Sequence, residues 1–310
     1  MSGKYVLGVD GGGSKTECAI CTLEGTDQKM ARGAGSNHES IGYDRAGQVV
    51  QELVCELLKE SGIQEKDIAG ACFAMAGMDV APDRENIATI IVEPLGLSCP
   101  VHICNDAFAG FRAGSPRGVG ICVSLGSGVT FCGRNTTGVT LQFEYPCPIN
   151  IDFRIMQALL AEYHGVGPAC GFRDAYLAAI GLDTLEELFM SRYASKRAFG
   201  KKVDPSKYLH ARRAVFSPDV FTDATTCRML ACYALDLADI LVGMGMKLGM
   251  EKDQFDFVMS GSLLMKGRHP ALNETLARAI KRQFPGAEPI LVDGLPVDGA
   301  VRIAKEMAGG

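Results

Sequence analysis

The chain alternates short apolar runs with segments of helical periodicity, a pattern typical of an α/β fold. The first three apolar runs follow one another closely through tight turns, which predicts an antiparallel meander. Later runs are separated by segments whose apolar residues recur at helical spacing. The elements predicted for this first part are strands at 5–9, 18–23, 30–35, 68–76 and 101–104, and helices at 44–61 and 83–95.

The opening pattern returns in the middle of the chain. An apolar run at 120–125 enters a Gly-Ser-Gly turn, and a run at 129–132 leaves it. We interpret this as a fold-level internal repeat with little sequence identity. Gly, Ser and Pro cluster at 114–118, which predicts a domain boundary there. The remaining predicted elements are helices at 153–163, 185–193, 224–250, 270–284 and 299–307, and strands at 255–259 and 289–292.

Composition narrows the class of protein. The chain has 310 residues, enough for two domains, and a formal net charge of −5, which gives no support for a nucleic-acid partner. No uninterrupted apolar run approaches the roughly 20 residues needed to span a bilayer. The first residues lack the long apolar core of a signal peptide. We therefore expect a cytoplasmic protein with no membrane partner.

The 12 cysteines are scattered through apolar runs. The CxxC pair, Cys18 and Cys21, falls in a predicted strand, where residues three apart point to opposite faces. A metal pair would need both sulfurs on one side. We therefore predict buried, reduced thiols that behave as small core residues.

The segment Val9–Thr16, V-D-G-G-G-S-K-T, follows a buried strand directly. Its glycines, Gly11, Gly12 and Gly13, let the backbone approach a polyanion and turn N–H groups toward phosphate. Ser14 and Thr16 offer hydroxyl donors, and Lys15 offers a cation. Asp10, at the strand end, is suited to a hydrated magnesium ion. The spacing matches neither a Walker loop nor a dinucleotide-binding turn, and a Gly-rich hairpin without a ligand remains the alternative.

Three later segments carry similar signals. Residues 124–130 repeat the strand, Gly/Ser turn and strand, with Thr130 leaving the turn. Gly261 and Ser262 follow a strand in a small-residue turn that would suit the flat face of an adenosine. Asp106 follows Asn105 at the end of another strand, where it could act as a general base. The spacing alone favours a helix N-cap at Asp106.

These motifs, in this order, resemble those of N-acetylglucosamine kinases and of the related BadF/BadG-type ATPases. The resemblance rests on LGVDGGGSKTECAICTLEG, GSN, FAMAG, NDA, the Gly/Ser hairpin, MSGSL and LPVDGAVRIA, and spans nearly the whole chain. It implies an actin-like ATPase fold of the actin–hexokinase–Hsp70 type, with two ribonuclease-H-like lobes. ATP and a sugar would bind in the cleft between the lobes, which would close on them.

The resemblance also implies residue roles. Asp106 matches the catalytic base, which replaces the N-cap interpretation, and Asp10 matches the magnesium-associated carboxylate. The matched binding positions are Gly12, Gly13, Ser14 and Thr16 in the first phosphate loop, Gly126, Ser127 and Gly128 in the second, Gly261 and Ser262 at adenosine, and Asn37, Gly77 and Asn105 at the sugar. The chain departs from the family where a Gly-Asp-Glu-Gly-Ser motif normally closes the sugar site. Glu144 and Asp152 are the acids that could replace it.

We therefore expect an ATP- and Mg²⁺-dependent kinase of an amino sugar or N-acetylhexosamine, acting as a homodimer. The alternatives are an ATPase that activates a partner enzyme and a sugar sensor with weak turnover. The expected domains are an N-terminal lobe at 1–117, a C-terminal lobe at 118–296, and a closing helix at 297–310 that packs back on the N-terminal lobe.

Overall fold

The first half of the chain builds a five-stranded mixed sheet. A computed structural model describes residues 4–126, 128–143, 149–191 and 202–309. The strands of the first sheet are β1 (Tyr5–Gly11), β2 (Thr16–Thr22), β3 (Lys29–Gly33), β4 (Ile68–Met75) and β5 (Val101–Asn105). Their order is β3-β2-β1-β4-β5. The first three strands pair antiparallel, which confirms the predicted meander, and β4 and β5 run parallel to β1.

The second sheet repeats this topology. Its strands are β6 (Gly120–Leu125), β7 (Val129–Arg134), β8 (Thr140–Phe143), β9 (Phe255–Ser260) and β10 (Ala287–Leu291). Their order is β10-β9-β6-β7-β8, with β6, β7 and β8 antiparallel and β9 and β10 parallel to β6. Strand β6 therefore corresponds to β1, and each later strand to its counterpart. The predicted internal repeat is confirmed at the level of the sheets.

Helices cover both sheets. They are α1 (His38–Ile41), α2 (Tyr43–Ser61), α3 (Ala81–Asn86), α4 (Asp106–Gly114), α5 (Ile151–Tyr163), α6 (Arg173–Ile180), α7 (Leu185–Ser191), α8 (Pro205–Ala211), α9 (Ala224–Lys247), α10 (Ser262–Gly267), α11 (Pro270–Gln283) and α12 (Pro296–Gly309). The segment predicted as one helix at 83–95 is helical, but its geometry is not uniform, because after α3 the chain forms a π-helix at Ile87–Val92 and a 3₁₀ helix at Glu93–Leu95. Pro94 offers no backbone N–H there, and Gly96 ends the turn at φ 64°.

Helix α12 returns to the first sheet. Val297, Ala300 and Val301 pack with Val6 of β1 in one apolar cluster. The contact is close, since a Cβ on Gly8 would lie 2.5 Å from the Val301 nitrogen. The last helix of the chain thus covers one face of the N-terminal sheet.

The CxxC pair behaves as the strand period predicts. Cys18 lies in the apolar cluster beneath α2, whereas Cys21 lies in the cluster beneath α12, on the opposite face of the sheet. Both are buried, and the cysteines among the described residues are free thiols. Burial raises the pKa of both thiols. The prediction of buried, reduced thiols is confirmed for this pair.

Helix α9 forms the centre of the second lobe. By length and composition alone it could cross a membrane, the one such helix in the described ranges, and half of its most apolar window is buried. Leu230, Leu237 and Leu241 are fully buried in the core beside β6. A search for uninterrupted apolar runs does not detect this helix, because Asp236 and Asp239 divide the segment.

Candidate active site

A cavity of about 400 Å³ opens between the two lobes. Residues of the first sheet and its loops form one wall, and residues of the second lobe form the other. The polar wall contains Asn37, Glu39, Gly77, Asp79, Asn105 and Asp106. The facing wall contains Ser124, Gly126, Gly128, Thr130, Phe143, Ile149, Asn150, Ile151, Leu209, Arg212 and Leu263. The structure therefore brings together most of the predicted sugar residues and the second phosphate loop.

Asp106 lies in the first turn of α4 and contributes to the cavity wall. The N-cap of α4 is Asn105, whose Oδ1 accepts the N–H of Ala107 at 2.9 Å. The cap interpretation of Asp106 is therefore wrong by one residue. Burial raises the pKa of Asp106 to about 6, and the negative charge of Asp79 adds to that rise. The carboxyl is thus ionised at neutral pH and more basic than an exposed aspartate.

Asp79 was missed by the sequence analysis. It follows β4 and the Gly77 turn and lies in the same cavity wall as Asp106. Its Oδ1 accepts from the Asn105 side chain at 3.1 Å. Its position in the sequence could have indicated this role, because Asp79 is the first acid after the FAMAG segment. It therefore follows the carboxyl end of a strand that lies beside β1.

Asp10, the residue before the last of β1, lies beside a second carboxylate. Its partner across the β1–β2 ladder is Glu17, so the two side chains leave the sheet on the same face. Burial raises the pKa of Asp10 to about 8, and the charges of Asp106 and Glu17 add to that rise. Lys15 offsets part of the rise and pairs with Glu17 at 2.6 Å. A divalent cation at this point would relieve the repulsion and favour the ionised carboxylate.

This donor set fits magnesium held together with phosphates. Mg²⁺ prefers oxygen ligands, keeps several waters, and often takes only one or two protein carboxylates. Across the described ranges, no group of three or more His, Cys, Asp or Glu side chains could form a complete metal cage. An oxygen donor such as Asp10, completed by substrate phosphates and water, is consistent with both observations.

The first glycine loop is a tight turn next to the cavity. Gly12 N donates to Lys15 O at 2.9 Å. A Cβ added at Gly13 would meet no described atom within 4 Å, and Ser14 is exposed. The loop itself does not line the cavity, but Gly11 O accepts from the nitrogen of Ala76, which does.

The predicted phosphate contact of the Thr16 hydroxyl does not fit its environment. Thr16 is fully buried, and its Oγ1 donates to Ala34 O at 2.7 Å and also lies within hydrogen-bond distance of Ser36 Oγ, at 2.8 Å. The hydroxyl therefore faces the loop after β3 and ties that loop to the start of β2. We assign Thr16 a structural contact beneath the glycine loop.

The second loop and the predicted adenosine turn lie together. A Cβ at Gly126 or Gly128 would meet open space within the described part of the chain, and Thr130 lines the cavity. Gly261 has φ 89°, and a Cβ there would lie 2.3 Å from Leu125 O, so only glycine fits. Ser262 begins α10 and is exposed. Ser127 lies outside the described residues.

The sugar positions share a turn. Asn37 caps α1, with Oδ1 accepting from the nitrogen of Glu39 at 2.9 Å. Gly77, at φ 80°, lies so close that a Cβ would be 2.7 Å from Asn37 Oδ1. The wall at this point therefore depends on glycine at 77.

Asp152, one of the two candidates for the missing sugar-site acid, does not line the cavity. Both of its carboxylate oxygens bind Arg212, with Nε–Oδ1 and Nη2–Oδ2 each at 2.5 Å. Arg212 lines the cavity, whereas Asp152 lies behind it, next to a separate groove. Asp152 thus orients the buried guanidinium of Arg212, a residue that the sequence analysis missed. Glu144 lies outside the described residues.

Comparisons with known proteins agree with the motifs. Residues 7–143, less than half of the chain, match the model of the BadF/BadG/BcrA/BcrD ATPase family. The chain is 26% identical to an N-acetyl-D-glucosamine kinase of Dictyostelium discoideum, covering 98% of each protein. It is 34% identical over 135 residues, 44% of each protein, to an N-acetylmuramic acid/N-acetylglucosamine kinase of Clostridium acetobutylicum. The resemblance found in the sequence is confirmed.

A solved structure supports the fold. A crystal structure from Chromobacterium violaceum, described as a candidate N-acetylglucosamine kinase, matches with a TM-score of 0.68 at 18% identity. The match covers 98% of this chain and 100% of the other. At that identity the likeness speaks for the fold, and it confirms the predicted two-lobed α/β architecture.

Proposed function

We propose that this relative of N-acetylglucosamine kinases transfers a phosphoryl group from ATP to a hydroxyl of an amino sugar, with N-acetylglucosamine as the leading acceptor. The proposal rests on the buried Asp106 carboxyl, which shares the cavity wall with the amide side chains of Asn37 and Asn105. The curated relatives support the ATP-dependent reaction and the class of sugar.

Asp106 acts as the general base in this proposal. Its carboxylate accepts the proton of the attacking hydroxyl, and a pKa of about 6 leaves it ionised yet basic at neutral pH. Asn37 and the Gly77 turn orient the sugar against the polar wall. Positioning of this kind provides much of the catalysis in phosphoryl transfer.

The nucleotide would lie on the glycine loops. When bound, ATP would supply the phosphoryl group, and Mg²⁺ would neutralise the negative charge that develops on that group. Asp10 would hold the cation, and Lys15 lies close enough to influence that carboxylate. The open backbone at Gly13, Gly126 and Gly128 leaves room for phosphates, and the Gly261 turn would face the adenosine.

Release of ADP tests the proposal against its alternatives. We expect the protein with Mg²⁺–ATP to release ADP only when a sugar is added, and N-acetylglucosamine to be the best acceptor in a panel of hexoses, amino sugars and N-acetyl sugars. Release without sugar would favour a partner-activating ATPase. Sugar binding without ADP would favour a sensor.

The acid limb of the pH profile should depend on Asp79. Removing its charge lowers the pKa of Asp106, so Asp79→Asn should move the acid limb of kcat/KM from near pH 6 toward lower pH. On acidification, the variant would then keep its activity to a lower pH than the wild type does. Glu39→Gln removes another cavity carboxylate, one that is not among the main charges acting on Asp106. An unmoved limb in Asp79→Asn would contradict this account.

We also propose that the protein is a cytoplasmic homodimer that binds a small sugar and neither nucleic acid nor membrane. The exposed apolar side chains of Phe153 and Val166, which line one groove on the second lobe, support a contact between protomers. Light scattering would measure the mass against the 33.0 kDa of one chain.

A further inference from the structure

One side chain of the second lobe reaches across the cleft to the first lobe. Gln142 lies in β8, the edge strand of the second sheet. Its Nε2 donates to Met78 O at 3.1 Å and to Asp79 Oδ1 at 3.2 Å. Both acceptors belong to the loop that follows β4 of the first sheet, so this amide joins the lobes directly.

The same two acceptors also bind Asn105. Its Nδ2 donates to Asp79 Oδ1 at 3.1 Å and to Met78 O at 3.4 Å, while its Oδ1 caps α4. Asn105 directly precedes Asp106. The contact between the lobes and the residue beside the proposed base therefore share one anchor.

We propose that Gln142 is a positioning residue that, through Met78 and Asp79, holds the lobes closed at the sugar cavity and fixes the Asn105 anchor beside Asp106. The inference rests on the proposed kinase function. Gln142 does not line the cavity, whereas its neighbour Phe143 does. Its amide is engaged by protein acceptors, so its effect on the sugar is indirect.

The contact has a measurable energetic consequence. A hydrogen bond to a charged acceptor contributes more than one between neutral groups, and here it is made only when the lobes are close. Losing it shifts the population away from the closed form, and apparent sugar affinity falls with the closed fraction. We expect Gln142→Ala to raise the KM for N-acetylglucosamine by about tenfold.

A double-mutant cycle separates this role from general damage to the fold. Asp79→Ala removes one of the two acceptors, so the KM increase of the Gln142→Ala/Asp79→Ala double variant should fall short of the product of the single effects. Gln48→Ala, an exposed glutamine on α2, is the matched control and should leave the KM unchanged. Full multiplication of the two single effects, or an unchanged KM in Gln142→Ala, would contradict the inference.

A scattering measurement tests the same contact without turnover. Gln142→Glu keeps the length of the side chain but places a carboxylate against Asp79, which repels the lobes. We expect the free Gln142→Glu protein to have a larger radius of gyration than the free wild type. If no sugar is phosphorylated but this expansion occurs, the kinase proposal fails and the contact between the lobes stands. An unchanged radius overturns the inference whatever the sugar assay shows.

Discussion

Asp106→Asn should lower turnover by about 10²- to 10⁴-fold, the usual contribution of a general base. The substitution keeps the size of the side chain but removes its basicity. Since the N-cap of α4 is Asn105, the helix keeps its cap in the variant. ATP binding should persist, because the glycine loops are untouched. Turnover is measured with the sugar identified in the ADP assay, and nucleotide binding by calorimetry.

Thermal stability distinguishes a catalytic loss from a folding defect. The raised pKa of Asp106 means that its ionised form costs folding free energy at neutral pH, so a neutral asparagine should leave Tm equal or higher. Asp44→Asn makes the same change in the first turn of α2, at an exposed site, and should leave turnover unchanged. Wild-type turnover in Asp106→Asn would exclude Asp106 as the base. Asp152 would be a poor replacement, because Arg212 holds both of its oxygens.

Most strands could be predicted because their signals are local, whereas the four-residue, largely half-buried β8 (Thr140–Phe143) was not predicted. Strands joined by tight turns pair with their neighbours, and the apolar runs at 5–9 and 120–125 each open the same hairpin pattern. The helical segment at 83–95 was predicted, but periodicity could not show that its geometry changes from α to π at Ile87 and to 3₁₀ at Glu93. The short helices α4, α6 and α8 were not predicted, since the amphipathic signal of a helix of about two turns is weak.

The residues of the candidate site likewise fall into those with a local sequence signal and those without one. Asp10 lies at the carboxyl end of β1 and Asp106 directly follows β5, so their place at the ends of buried strands could be predicted from nearby sequence. Arg212 and Gln142 come from elements far along the chain, and only tertiary packing brings them to the cleft. For Thr16, the sequence suggested a contact that the structure does not support. Its place in the motif suggested a ligand contact, but the chain after β3 covers its hydroxyl.

The connection between the lobes depends on one buried acid. Asp256 of β9 is fully buried, and its Oδ2 accepts from Ser115 Oγ at 2.6 Å and from Arg117 N at 3.0 Å. Its Oδ1 pairs with the Arg117 guanidinium. Ser115 in turn accepts from Gly118 N at 2.9 Å. These bonds satisfy most of the polar groups at 115–118, where the chain leaves α4 for the second sheet.

Asp256→Ala should therefore lower the free energy of unfolding by about 2–4 kcal/mol, because the carboxylate accepts several hydrogen bonds at a fully buried position. The loss arises because the buried Ser115 hydroxyl and the part-buried Arg117 backbone N–H both lose their acceptor. Urea denaturation measures the effect. Asp293→Ala is the matched control, since its pair with Arg268 is exposed on both sides and should contribute less than about 1 kcal/mol. Equal losses in the two variants would show that Asp256 does not anchor the connection between the lobes.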